Sequence, residues 1–181
     1  MNTSIKKSMV VLLLAVAFIG CNQGPTLQTY YVDNELKPGF SSFDVPTSFV
    51  NVDNINMTEE QKEAYESVDK LNVLTFILNE ENKTDYKVEL ENVKSILDNP
   101  KYEELMRGGN STDGKFIVKF LGDVENIDEL IIFLSSTDKG FAVVRVLGDD
   151  MNAGELMSLS SVLQNAQIED SQLNKLTEFF K

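Results

Sequence analysis

The 181-residue sequence has no histidine, no tryptophan and one cysteine, Cys21. Without histidine, the chain cannot build a Ser-His-Asp or Cys-His catalytic group, a histidine-ligated zinc or an imidazole base. One cysteine cannot form an intramolecular disulfide or a thiolate cluster. Arginine occurs only at Arg107 and Arg145, and 16 basic residues face 29 acidic ones, a net charge of -13. Phosphate recognition draws on lysine and arginine, so no nucleic-acid partner is expected. With 42% hydrophobic and 25% charged residues, the composition is that of an ordinary folded domain.

The N-terminus carries the clearest signal. Lys6 and Lys7 precede an apolar run from Met9 to Ile19, which ends at Gly20-Cys21. That run is shorter than the ~20 residues a membrane-spanning helix needs and has the length of a signal-peptide core. A small residue directly before the sole cysteine resembles the bacterial lipobox, here Phe18-Ile19-Gly20-Cys21. The resemblance implies cleavage before Cys21 and acylation of its thiol. Residues 1–20 then read as the signal, 21–26 as a short tether and 27–181 as one domain. Loss of residues 1–20 removes Lys6 and Lys7 and leaves 14 basic against 29 acidic side chains, a net charge of -15. Surface-exported lipoproteins of some bacteria resemble each other in carrying acidic residues just after the cysteine. The tether Asn22-Gln23-Gly24-Pro25 has none, so this comparison implies an outer-membrane location facing the periplasm, with the lipid as anchor.

In the remainder, apolar spacing predicts a helix from Leu27 to Leu36, stopped by Pro38-Gly39, and a strand over Phe40–Val45. A second helix opens at Thr58, where Gln61 completes a capping-box pattern. Leu71–Leu78 reads as a strand apolar on both faces, and Thr84–Asp98 as an amphipathic helix. Four strands follow, Tyr102–Arg107, Lys115–Leu121, Asp128–Leu134 and Phe141–Leu147, with short turn-rich connections that imply an antiparallel meander. Two more helices start near Asn152 and near Asp170, the latter using Leu173, Leu176 and Phe180. The expected fold class is α+β: a meander of about four strands with one or two more, and helices mainly on one face.

A bulge-free register pairs Leu121 with Asp128 and Leu134 with Phe141, and a one-residue slip would exchange the faces. One face then holds Phe116, Val118, Phe120, Ile131 and Phe133 with Glu129 as its polar member. The other brings Lys119, Asp128 and Arg145 together, either as a surface charge cluster or as an anion or partner contact with Arg145 as a carboxylate fork. Its apolar remainder is either covered by the N-terminal helix near Tyr30 and Tyr31 or open to a partner. Leu121-Gly122-Asp123 and Leu147-Gly148-Asp149 fall at one sheet edge. Asp123, Asp149 and Asp150 are therefore candidate ligands for a hard cation, although Gly-Asp is also ordinary turn chemistry. Glu59, Glu60, Glu63, Glu66 and Asp69 read as a solvated helix face. Gly108-Gly109 and Gly114 lack the Lys-Ser/Thr ending of a phosphate loop.

The strings Tyr102-Glu103-Glu104-Leu105-Met106-Arg107, Asp128–Phe133 and Phe141–Asp149, in that order behind a lipobox, resemble domain-of-unknown-function family 4252 (DUF4252), lipoproteins of Bacteroidetes-type bacteria. The resemblance covers about Leu27 to Leu163, with the stretch after Asp170 as an extension. It implies envelope anchoring and supplies no catalytic residues. The leading expectation is a non-catalytic interaction or sensing module, with an envelope protein or small ligand as partner and no cofactor. A carboxylate-dependent envelope hydrolase using Asp123, Asp149 and Asp150, or a purely structural envelope component, are the alternatives.

Overall fold

The computed structural model describes residues 24–52, 55–110, 114–163 and 167–168. The signal over residues 1–20, Cys21 and the helix expected near Asp170 lie outside the described residues.

Helix α1 (Leu27–Asn34) leads to strand β1 (Phe40–Pro46) and, past a 3-10 turn, to β2 (Val50–Asn51). Helix α2 (Glu59–Glu66), β3 (Val68–Ile77) and α3 (Lys83–Leu97) follow. The meander is β4 (Glu103–Asn110), β5 (Gly114–Asp123), β6 (Asn126–Ser136) and β7 (Gly140–Gly148). Short helices α4 (Ala153–Ser158) and α5 (Ser160–Leu163) precede β8 (Gln167–Ile168). The expected α+β class on an antiparallel meander is what the chain builds. One sheet has the order β1-β3-β7-β6-β5-β4, and β2 pairs with β8 in a second. All pairings are antiparallel. Strand β3 is interior, and Val73, Leu74 and Phe76 are buried on its two sides, in keeping with a strand that is largely apolar on both faces.

The caps form where the sequence places them. The Thr58 hydroxyl accepts from Gln61 N–H while the Gln61 side chain accepts from Thr58 N–H. Asn152 caps α4 by accepting from Gly154 and Glu155 N–H. Each cap satisfies donors that the first turn leaves without intrahelical partners.

The register departs from expectation, and the cause is local. Asp123↔Asn126 and Gly122↔Ile127 follow the bulge-free pairing, but the next pair is Leu121↔Glu129. Asp128 is the extra residue of a bulge, opposite Gly122, whose φ of 107° and 2.8 Å approach of a would-be Cβ to Asp128 N leave room for glycine alone. At the other end, the loop before Gly140 holds three residues, so Ser136 pairs with Gly140 and Leu134 with Ala142, not Phe141. Strand β6 is therefore turned over between its neighbours. Leu130, Ile132 and Leu134 share a face with Phe116, Val118 and Phe120, while Glu129, Ile131 and Phe133 join Ile117, Lys119 and Leu121.

The helices also lie on both faces rather than mainly one. Leu27 and Tyr30 of α1 and Tyr86, Val93, Ile96 and Leu97 of α3 pack with Leu74, Phe76, Phe133 and Phe141. Ala64 of α2, Leu156 of α4 and Val162 of α5 pack with Val118, Phe120, Leu130 and Val146 on the reverse. A six-stranded sheet apolar on both faces needs cover on both, which is why one helical layer does not suffice. Helix α3 joins the second strand of the sheet to its far edge. Four strand spacings are about 19 Å, and 15 residues of helix rise about 22 Å, so one helix makes the crossing. Among the described residues no helix is long and apolar enough to cross a membrane.

Candidate functional site

On the α1/α3 face, one row of residues runs across the sheet. Lys119 is opposite Ile131, Ile131 opposite Arg145, Arg145 opposite Asn72 and Asn72 opposite Asp44. The neighbouring row, Ile117, Phe133, Val143, Leu74 and Ser42, is mostly apolar. The polar row is thus where the α1/α3 core ends and hydrogen-bonding groups begin.

The sequence-predicted cations are both committed within the fold. Arg145 donates from Nε to Glu129 Oε1 at 2.6 Å and from Nη2 to Oε2 at 3.1 Å. Only 10% of the Arg145 and 8% of the Glu129 side chain is exposed, so this fork is a buried ion pair. Lys119 donates to Leu97 O at 2.7 Å and to Tyr102 O at 3.0 Å, placing its charge at the negative end of α3. Asp128, expected beside them, is the exposed bulge residue. Its place is taken by Glu129, which the bulge-free reading put on the opposite face. Gly122 beside the turn is the signal that could have revealed this.

The same row opens into a cleft of about 380 Å³ between α1 and the β1-β3-β7 end of the sheet. Gln28, Tyr31 and Val32 of α1 and Glu35 just past its end, at helical spacing, form one wall. Ser42, Asp44, Asn72 and Arg145 line the sheet side. Helix α1 is set by a Thr26–Thr29 capping box and by Leu27 N–H donating to the Tyr102 hydroxyl at 3.2 Å. Tyr30 hydroxyl donates to Glu89 Oε2 at 2.8 Å, tying α1 to α3. Across the cleft, Asn72 Nδ2 donates to Asp44 Oδ1 at 2.5 Å, and Lys70 Nζ stands 3.5 Å from Asp44 Oδ2. The Tyr31 hydroxyl donates to Val73 O at 3.3 Å. Burial pushes the Tyr31 phenol above the ordinary tyrosine value; a Ser42 hydrogen bond works against this, and the Asp44 and Glu35 carboxylates add to it.

The volume is that of a small-ligand site, with a few convergent polar groups. Because Glu129 answers Arg145, the carboxylates of Asp44 and Glu35, offset in part by Lys70, set the sign at the mouth. The cleft therefore suits a neutral or cationic polar group better than an anion.

The two Leu-Gly-Asp tripeptides do reach the same end of the sheet, on β5 and β7 with β6 between them. Asp123 accepts from Glu125 N–H within its turn, Asp149 N–H donates to Ser67 O, and Asp150 takes a φ of 54°. Among the described residues, no group of three carboxylates could hold a metal ion. Glu59, Glu60, Glu63 and Glu66 are exposed on α2, with the first two in its positive first turn. Asp44, Asn72 and Tyr31, which line the cleft, carry no sequence motif.

No curated protein matches the chain. A family model described as Domain of unknown function (DUF4252) matches residues 31–159, from the cleft wall of α1 to the end of α4. That match takes in more than two thirds of the sequence, so the chain belongs to the DUF4252 family.

Proposed function

We propose that the chain is a lipoprotein of the bacterial outer membrane, anchored through Cys21 and facing the periplasm, whose domain is a non-catalytic binding module. The anchor is supported by Lys6, Lys7 and the apolar Met9–Ile19 run ending at Gly20 before the sole cysteine. A dually or triply acylated cysteine holds stably, since each buried CH₂ contributes about 0.8 kcal/mol. The uncharged residues after Cys21 support the periplasmic side. The cleft between α1 and the β1-β3-β7 end carries the binding reading: its polar groups converge on an open space, and its strongest cation is already neutralised by Glu129. Its occupant is an envelope protein or small molecule presenting a neutral or cationic polar group.

Two measurements test this. Palmitate incorporation should be present in the native chain and absent in Cys21→Ser. A photo-crosslinker replacing Gln28 at the cleft lip should give a saturable adduct in intact cells. The same adducts in the same yield from a crosslinker replacing Glu63, on the opposite layer, would remove the case for the cleft.

A further inference from the structure

The anchoring reading has a geometric consequence for the surface that meets the bilayer. Six Cα steps separate Cys21 from Leu27. Fully extended they reach about 20 Å. Leu27 is no longer part of a tether: its side chain is buried in the α1/α3 core and its N–H is held by Tyr102. A domain of about 155 residues has a radius of gyration near 15 Å and hence a diameter of about 39 Å. The reach from the fixed point is about half that diameter. The α2/α4 layer lies on the far side of the sheet from Leu27. To lay that layer on the membrane, the tether would have to pass around the whole domain, which its length forbids.

Charge favours the same orientation. Along α3, Lys83, Lys87 and Lys94 balance Asp85, Glu89 and Glu91. On α2, Lys62 stands alone against Glu59, Glu60, Glu63 and Glu66. With Asp33 of α1 counted, the helices of the layer carrying the anchor sum to -1, against -4 for α2 with Glu155 of α4, so the layer facing away is the one an anionic headgroup surface repels more strongly.

We propose that the α1/α3 face is a bilayer-apposed surface, held against lipid headgroups by the short Cys21–Leu27 tether, and that the acidic α2/α4 face points away. This rests on the lipid-anchor reading above. It also places the cleft: Gln28 and Val32 line it, one and five residues beyond the fixed point, so its occupant is met within the headgroup-proximal zone.

The chain's sole cysteine is the acylation site in this reading, so one introduced cysteine takes a unique label. The native lipidated chain is prepared as Val32→Cys on α1 or Lys62→Cys on α2, both exposed positions, and labelled with a fluorophore. It is reconstituted into phosphatidylethanolamine/phosphatidylglycerol vesicles containing headgroup-nitroxide lipid. Quenching is expected to be at least threefold stronger at Val32→Cys. A Gly/Ser insert of about 30 residues after Gly24, whose mean span is about 30 Å, should bring the two sites to within twofold of each other. Equal quenching with the native tether, or stronger quenching at Lys62→Cys, overturns the orientation. Failure of the native chain to float with vesicles overturns the anchor instead, so the two failures are told apart.

Discussion

Breaking the Arg145–Glu129 pair should cost far more than its loss as a pair. Both side chains are about nine-tenths buried, and the carboxylate takes two donors from the guanidinium. Glu129→Leu leaves a guanidinium in the sheet interior with no counter-charge, which costs about 3–5 kcal/mol. At 2–4 °C per kcal/mol for a domain of this size, the melting temperature should fall by about 6–20 °C. The double change Glu129→Leu/Arg145→Met removes both charges and keeps most of the volume. Such replacements range from neutral to about 1–4 kcal/mol stabilising, so the double variant should unfold at or above the wild-type midpoint. Urea denaturation of the wild type, Glu129→Leu, Arg145→Met and the double variant gives the coupling directly, provided the slopes agree. An exposed pair would yield only about 0–1 kcal/mol of coupling. A Glu129→Leu loss within that range, or a double variant weaker than both singles, would refute the buried-pair account and the β6 register with it.

Three further outcomes are expected. Tyr102→Phe removes the acceptor of Leu27 N–H and should cost about 0.5–1.5 kcal/mol, with faster amide exchange at Leu27 than in the sheet; unchanged exchange there would show that α1 is held otherwise. Gly122→Ala places a Cβ on a left-handed residue 2.8 Å from Asp128 N and should destabilise by about 1–3 kcal/mol in urea, whereas a loss below a few tenths would mean the bulge is absent. Tyr30 is held protonated well above its ordinary value of 10.0, first by burial, then by its hydrogen bond to Glu89 and that carboxylate's charge. The folded state keeps this proton while the unfolded state releases it, so the contribution is constant below about pH 10. It is then lost at up to about 1.4 kcal/mol per pH unit above that. Urea midpoints from about pH 9 to pH 11 should fall less steeply for Tyr30→Phe, and identical slopes would contradict the assignment.

Local chemistry was legible in the sequence. Thr58 with Gln61 and Asn152 with Glu155 marked helix starts because capping needs only a side-chain oxygen a few residues from a free N–H. The alternating runs marked the meander because strand period and turn residues are local. The polar row was not legible, since its members come from five separate strands and their alignment depends on register. One extra residue, Asp128, turned β6 over, exchanged Glu129 for Asp128 beside the cations and changed a supposed open guanidinium into a filled one. Lys119 was singled out, but its role was not legible for a related reason: its partners are main-chain carbonyls at Leu97 and Tyr102, which leave no residue-type signature. Helices were expected mainly on one face because the bulge-free register left Glu129 as the polar member of that face and put Lys119, Asp128 and Arg145 together on the other.

The order of strands also sets how the chain must assemble. Strands β4 to β7 are joined by short turns and can pair as soon as each hairpin closes. Strand β3 instead pairs with β7, and Phe76 meets Phe141 across 65 positions of chain. Closing that span rather than a four-residue turn adds about 2.4 kcal/mol of loop entropy, at ~0.6 per doubling. The meander is therefore the natural nucleus, and β3 with β1 should zip on last. Until then the unpaired edge of β7, running through Phe141, Val143 and Val144, is the stretch most open to intermolecular pairing.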